Sequence, residues 1–349
     1  MKIGFDAKRY FNNQTGLGNY SRWLLDGLIS RNAHNYNLYL PKKVNNDYSR
    51  NINYASGIGA LLPSIWRIKF INSTLKKDKI EIYHGLSNEL PFGIHKTGIK
   101  TVVTIHDLIN KRYPKNYSMI DGFIYEKKVN YAQQYANAIV VPSTQTKEDL
   151  IHYYKTAPHK IKVIPLSLPI KIINSKKKPE TPYILCVSSF DKRKNLTNLV
   201  KAFAQFEGSI NLVLAGKSGE MLNEVLNETK EDARIQIRQN VSNEELSILY
   251  ANSIFCIYPS VFEGFGIPIL EAFQHHKTVA TSNLSSMPEV GGNAAEYFDP
   301  NSIDSILKSI KRLSDDGYRS TKENLISEQL KKFDSNLILQ QYESLYTSL

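Results

Sequence analysis

Two glutamates, Glu263 and Glu271, stand eight positions apart in the run Ser260-Val-Phe-Glu-Gly-Phe-Gly-Ile-Pro-Ile-Leu-Glu-Ala272. Two carboxylates set around a glycine-rich turn make a ligand-binding arrangement, and Gly264 and Gly266 between them let backbone amides approach a ligand closely. The preceding 254–258 is a short apolar run of buried-strand type, and Pro268 suits the first turn of a helix. Glu263 should therefore lie in a loop, with Glu271 about one turn into the next helix. Strand, amide-rich loop and helix N-terminus in that order favour bound anions. The plainer alternative is an ordinary turn with Glu263 solvated and Glu271 capping.

Three further places hold groups with possible chemistry. In Ser188-Ser-Phe-Asp-Lys-Arg-Lys-Asn-Leu196, Arg193 and Lys194 sit at a helix start. Cations are unfavourable there, so a bound anion accounts for them better than a solvated basic loop does. Thr15-Gly-Leu-Gly-Asn-Tyr20 follows the first strand, and Gly16 and Gly18 either admit a phosphate to helix amides or simply allow a tight turn. The full dinucleotide glycine pattern is absent, which disfavours a Rossmann dehydrogenase. Thr104-Ile-His-Asp-Leu108 ends a strand at the edge where doubly wound sheets bind ligands. His106 there can donate to a hydroxyl or phosphate, or be a satisfied structural histidine, as His84 and the pair His275-His276 read. No acidic or Cys/His cluster has metal-ligand spacing, and Asp-x-Asp occurs nowhere.

The elements that must position these groups alternate. Strands are expected at 2–6, 80–84, 101–105, 138–142 and 161–165, with helical patterns between most of them. After the lysine-rich stretch 167–182, which contains Lys176-Lys-Lys-Pro-Glu-Thr-Pro182, they resume at 183–187, 210–215, 235–238, 254–258 and 278–281. This predicts α/β architecture twice over: a domain at 1–166, a linker at 167–182, a domain at 183–332, and a C-terminal helix at 333–349 that could return to the first domain. Ser242-Asn-Glu-Glu245 forms a capping box for the helix before the Glu263 strand.

With 349 residues, 42% hydrophobic and 22% charged, the chain has the composition of a globular protein of two domains. No apolar run approaches the roughly 20 residues of a membrane span. The N-terminus turns polar too soon for a signal peptide, and Cys186 and Cys256 sit singly in apolar runs, so a reduced, cytoplasmic setting is expected. Residues 1–170 carry 24 Lys and Arg against 11 Asp and Glu, whereas the remainder carries 20 against 22. The basic half implies an anionic partner, and no nucleic-acid-binding motif accounts for it. In 61–71, a helix from Pro63 would set Trp66 and apolar residues among Arg67 and Lys69, with Lys76 and Lys77 just beyond. That mixture suits peripheral contact with an anionic membrane, or else Ile65, Trp66, Ile68 and Phe70 pack into the core.

Together Glu263-x7-Glu271, Arg193-Lys194-Asn195, the Gly16 loop, His106-Asp107, and Ser285-Ser-Met-Pro-Glu-Val290 before Gly291-Gly292 resemble the retaining glycosyltransferases of family 4, over nearly the whole chain. The resemblance implies a GT-B fold, with two Rossmann-like domains facing across a cleft, the first binding acceptor and the second a sugar nucleotide. It implies that Glu271 binds the ribose and that Glu263, with Gly264 and the amides of Phe265, Gly266 and Ile267, holds the transferred sugar. Arg193 and Lys194 would neutralise the diphosphate, Gly16 would let the first-domain loop approach it, and His106 would contact the donor sugar. Asp107, Asn19 and Glu289 are further candidates. Many relatives have a Gly-Arg pair where this chain has Ser188-Ser189, so one diphosphate cation is missing.

The implied activity is hexosyl transfer with retention and without a metal or other cofactor. The donor would be a nucleoside-diphosphate sugar and the acceptor a saccharide or polyprenyl-linked saccharide, in the assembly of O-antigen, capsule or exopolysaccharide. Mannosyltransferases are among the enzymes it resembles. The alternatives are a sugar-nucleotide epimerase of the same fold and a non-catalytic sugar-nucleotide-binding partner subunit.

Overall fold

A run such as Ala138-Ile-Val-Val141 has no polar residue for either face, so it is stable only as a strand covered on both sides, and all four residues are buried. The computed structural model describes residues 1–13, 16–43, 52–55, 61–62, 65–114, 118–167, 179–230 and 232–349. Thr15, Pro63 and most of the expected linker, including Lys176, lie outside the described residues.

The chain divides into two compact units, Met1–Leu168 with Ser335–Leu349, and Pro169–Asp334. The first unit holds β1 (Lys2–Asp6), β2 (Asn35–Leu40), β3 (Ile52–Tyr54), β4 (Ile82–Gly85), β5 (Lys100–Thr104), β6 (Ala138–Val141) and β7 (Ile161–Val163). They form one parallel sheet in the order β3-β2-β1-β4-β5-β6-β7. The second unit holds β8 (Tyr183–Val187), β9 (Asn211–Gly216), β10 (Ile235–Gln239), β11 (Cys256–Tyr258), β12 (Val279–Ser282) and β13 (Ala295–Phe298). Their order is β10-β9-β8-β11-β12-β13, again all parallel. The expected doubly wound α/β architecture is present in both units. In each sheet the strand order reverses once, between β1 and β4 and between β8 and β11, and the crevice beyond the carboxyl ends at such a point is where ligands bind. Cys186 and Cys256 are buried free thiols.

Ten strands fall where apolar runs predict them. The other three, β2, β3 and β13, are interrupted by polar residues. β13 buries Glu296, which accepts hydrogen bonds from Arg312 Nη1 and from the Tyr318 hydroxyl, both at 2.6 Å. The helices that matter below are α1 (Gly16–Arg31), α2 (Met119–Tyr135), α3 (Leu196–Ala204), α4 (Asn243–Asn252), α5 (Ile267–Gln274) and α6 (Ser335–Thr347). The N-cap half of the capping box is present: Ser242 Oγ accepts from the Glu245 amide at 3.1 Å, ahead of α4.

The segment 61–71 requires a correction. Trp66–Phe70 is a π-helical turn, Trp66 is only 3% exposed in the core, and Arg67 turns inward to pair with Asp6 and Glu89. Trp66 finds apolar neighbours and Arg67 finds two carboxylates, so neither remains for an interface. Ile65, Ile68 and Phe70 stay exposed.

Helix α6 belongs to the first unit and lies against α1. Trp23 Nε1 donates to Ser335 Oγ at 2.8 Å, and Arg31 grips Glu343 through two hydrogen bonds of 2.9 and 3.0 Å. Below them runs a buried polar chain in which His84 bonds Tyr346 and Thr104, each at 2.8 Å. Thr104 bonds Tyr20 at 2.9 Å, and Tyr20 bonds Tyr342 at 3.0 Å. His84 is thus structural, as read.

Burial holds His84 down at about 3, below its ordinary value of about 6.5. The unfolded chain therefore takes up the proton first. Stability from neutral His84 is complete above about pH 6.5 and is lost as pH falls toward about 3. His106, held at about 4 chiefly by burial, acts in the same direction. Urea midpoints should fall from about pH 6.5 to about pH 5, above the carboxylate range, and a flat profile there would contradict neutral burial. Tyr346→Phe, which leaves a buried ring nitrogen without its partner, should cost about 1–3 kcal/mol in the same titration.

Candidate active site

The two loops at the second unit's switch point follow adjacent strands and are stitched together. After β8, Lys192–Lys194 forms a 3-10 turn, and Asn195, at φ 59°, directs the chain into α3. After β11, residues 259–266 lead into α5. The Val261 amide donates to Arg193 O at 2.9 Å, Arg193 Nη1 donates to Phe262 O at 3.0 Å, and Asn195 Nδ2 donates to Pro259 O at 3.3 Å.

Glu263 lies where the loops meet and is 8% exposed. Its Oε1 accepts from Lys194 Nζ at 2.6 Å, from Ser260 Oγ at 2.5 Å, and from Arg193 Nη1. Burial alone would raise its carboxyl, but Lys194 and Arg193 outweigh that and hold it at about 2. Burial likewise depresses Lys194, which is 8% exposed, while Glu263 opposes the shift. The Lys194 ammonium also donates to the Tyr258 hydroxyl at 2.7 Å and lies 5.1 Å from that ring's centroid. All these bonds go to Oε1; among the described residues no hydrogen bond reaches Oε2. The site therefore holds an ionised carboxylate with one oxygen fixed and one available.

The backbone around Glu263 is fixed by the serines of the 285–290 run. Ser285 Oγ donates to Glu263 O at 2.7 Å, and Ser286 Oγ shares its single proton between Phe265 O at 2.7 Å and Glu263 O at 2.9 Å. Gly266, at φ 112°, makes the bend into α5 in a region side chains avoid. Among the described residues, the amides of Phe265, Gly266 and Ile267 donate to no acceptor, so three N–H groups cluster at the mouth of α5. Pro268 occupies its first turn, and buried Gly264 lies between Glu263 and these amides.

Glu271 stands one turn into α5, half-buried. Tyr250, from α4, donates to its Oε2 at 2.7 Å. Burial pushes this carboxyl up, and the Tyr250 bond opposes the shift. Tyr250 is backed by His275, stacked at 5.1 Å, whose Nδ1 donates to Glu271 O at 2.8 Å and whose Nε2 meets Ser247 Oγ at 3.0 Å.

Sequence reasoning assigns Arg193 and Lys194 to a bound anion and Glu263 to a sugar; in the structure the anion that meets both cations is Glu263 itself. Sequence reasoning missed the parts played by Tyr250, Tyr258, Ser260, Ser285 and Ser286. Serines are common in loops and their type alone names no partner, and nothing in the spacing links Tyr250 to Glu271. Where a cation is missing, Ser189 Oγ donates to Asp191 Oδ2 at 2.5 Å, so a hydroxyl-carboxylate pair takes that place. Glu289 is exposed.

The remaining candidates belong to the first unit. His106 is buried, and its Nε2 donates to Leu86 O at 2.9 Å. That fixes the tautomer, so Nδ1 carries the lone pair and His106 can accept from a ligand hydroxyl, the reverse of the donor role expected from sequence. Gly16 is the exposed first residue of α1. A Cβ on Gly18 would lie 1.8 Å from Asn13 O, and the Gly18 amide already donates to Asn13 Oδ1 at 3.2 Å, so this glycine serves the turn. Asn19 accepts from Arg22, and Asp107 from the Ile109 amide.

Residues 170–332 match the family described as Glycosyl transferases group 1, and residues 29–169 match Glycosyltransferase Family 4. Among curated proteins the chain is 26% identical to O-antigen chain mannosyltransferase B of Escherichia coli, over 91% of this chain and 92% of that protein. It is 25% identical to the O-antigen chain mannosyltransferase RfbU of Salmonella typhimurium, over 89% and 91%. Among solved structures it resembles sucrose-phosphate synthase from Thermosynechococcus elongatus, with a TM-score of 0.77 at 18% identity over 100% of this chain and 98% of that one. The expected GT-B fold is thereby borne out.

Ser286→Ala would remove the one hydroxyl proton that the Glu263 and Phe265 carbonyls share at the buried turn. Urea unfolding should show a loss of about 1–3 kcal/mol, and an unchanged midpoint would mean that the turn holds itself.

Proposed function

Because the chain belongs to the group 1 and family 4 glycosyltransferases, we propose that it transfers a hexosyl group, mannosyl first among candidates, from a nucleoside-diphosphate sugar with retention and without a metal. The acceptor in this reading is a saccharide, carried on a lipid, in O-antigen or related surface-polysaccharide assembly. The observation that carries the reading is the convergence of two cations, an ionised carboxylate and three unbonded amides at the β8/β11 switch point.

Breaking the anomeric C–O bond builds positive charge on the sugar and negative charge on the leaving phosphate. Arg193 and Lys194 meet the second charge, and fixed electrostatics of this kind usually supply the largest part of catalysis. Glu263 Oε2 and the amides of Phe265 to Ile267 grip the sugar hydroxyls, and the open Oε1 of Glu271 takes the ribose. His106 accepts a hydroxyl hydrogen bond from the donor sugar, and Gly16 leaves room for the diphosphate. The acceptor oxygen bonds to the anomeric carbon on the face the phosphate leaves, and its proton passes to that phosphate. The reading puts the enzyme in the cytoplasm, peripheral to a membrane. Among the described residues no helix is long and apolar enough to cross one.

Calorimetric donor titrations and initial rates test the assignment. Glu271→Gln should weaken donor binding by about tenfold to a hundredfold, as for loss of a charged hydrogen-bond acceptor. Glu263→Gln should mainly lower kcat, by about a hundredfold or more. Wild-type affinity and rate in both variants would remove this site, and a new nucleotide sugar formed from donor alone would indicate an epimerase.

Activity should persist in excess EDTA. Loss of activity there, restored by a divalent ion, would overturn metal independence. Lys194→Ala should cost about 3–4 kcal/mol of transition-state stabilisation, measured as kcat/KM.

A further inference from the structure

The first two turns of α2 present Met119, Ile120, Phe123 and Ile124 at 91, 73, 61 and 47% exposure. The residues this helix buries, Val129 and Ala132, lie further along it. An amphipathic helix normally covers a core with its apolar face; here the apolar start covers nothing among the described residues.

Two other exposed apolar segments adjoin it. Glu89 pairs with both Lys128 on α2, at 2.7 Å, and Arg67 on the π-helical turn. Ile124 stands one turn before Lys128, and Ile68 is next to Arg67. The Phe92 amide donates to Ile68 O at 2.7 Å, and its ring lies 4.5 Å from that of Tyr131 on α2. Of sixteen exposed large apolar side chains among the described residues, ten fall on these three segments, so they form a patch rather than scatter.

We propose that this face docks on an anionic phospholipid bilayer, a partner that deepens the reading of a lipid-linked acceptor and rests on it. Charge complementarity selects the occupant. Lys69, Lys96 and Lys127 are exposed and without ion pairs among the described residues, and Lys127 Nζ lies 5.3 Å from the Phe123 ring centroid. Nearby carboxylates Glu89 and Glu126 are taken by Lys128, Arg67 and Lys111, which leaves Asp121 as the opposing charge. Apolar side chains that can enter the acyl boundary beside unpaired lysines match an anionic lipid surface.

The full chain should co-sediment at low salt with vesicles of equal parts phosphatidylglycerol and phosphatidylethanolamine, stay in solution with phosphatidylcholine, and be released by salt. Ile120→Ser with Phe123→Ser, and separately Lys127→Glu, should lower the partition coefficient about tenfold. A thermal shift with sugar nucleotides, measured in parallel, should be unchanged by these variants. Its absence from the wild type would count against the transferase reading and not against docking. Negligible binding to both kinds of vesicle, or anionic binding that the variants leave intact, would overturn the proposal. So would a dimer in light scattering that the apolar variant dissolves, since the face would then serve a second copy of the chain.

Discussion

The buried contact of Glu263 with Lys194 and Arg193 is the constraint on which the second unit's site depends. Two cations can stay together at a nearly closed point only while an anion stands between them. Removing one partner of such a pair costs about 3–5 kcal/mol, a large share of the 5–15 kcal/mol that holds an ordinary domain folded. The same contact ties the loop after β8 to the loop after β11. It therefore sets where the amides at the mouth of α5 point. Strand order brings the loops together, and the ion pair locks them.

The charge balance there is lean, because Ser188-Ser189 follows the first strand and brings no cation. Asp191, held by Ser189, adds a carboxylate near Lys194. In the proposed reading, neutralising the diphosphate falls to two cations already engaged with Glu263, and the amides of Phe265 to Ile267 gain weight as fixed dipoles. In the first unit His106 is kept neutral by burial, so in the proposed reading it would supply direction and not charge.

Much of this was legible in the residues. Strands such as Tyr183–Val187 announce themselves because a parallel strand covered on both faces must be apolar throughout. Glu263 and Glu271 were found because glycine, proline and carboxylate combine within one short run. What could not be read lay in partners distant along the chain. β13 contains Glu296, acceptable only because Arg312 and Tyr318 come to it. Tyr250 supports Glu271 from another helix. Trp66 looked interfacial from its neighbours, yet contacts from Leu75, Ile94 and others of that core enclose it.

The place of α6 also bears on how the chain comes to fold. Tyr342 and Tyr346 complete the hydrogen-bonded chain that runs through Tyr20, Thr104 and His84, yet Ser335–Leu349 is synthesised only after all of Pro169–Asp334. At ribosomal rates of about 5–20 residues per second, the first unit waits roughly ten to thirty seconds for its closing helix. During that interval His84 and Thr104 lack their tyrosine partners, and the side of α1 that meets α6 is bare. The second unit is continuous in sequence and needs no such delay. The later half of the chain can therefore reach its finished state before the earlier half, and the nascent first unit is the part that needs shielding from aggregation.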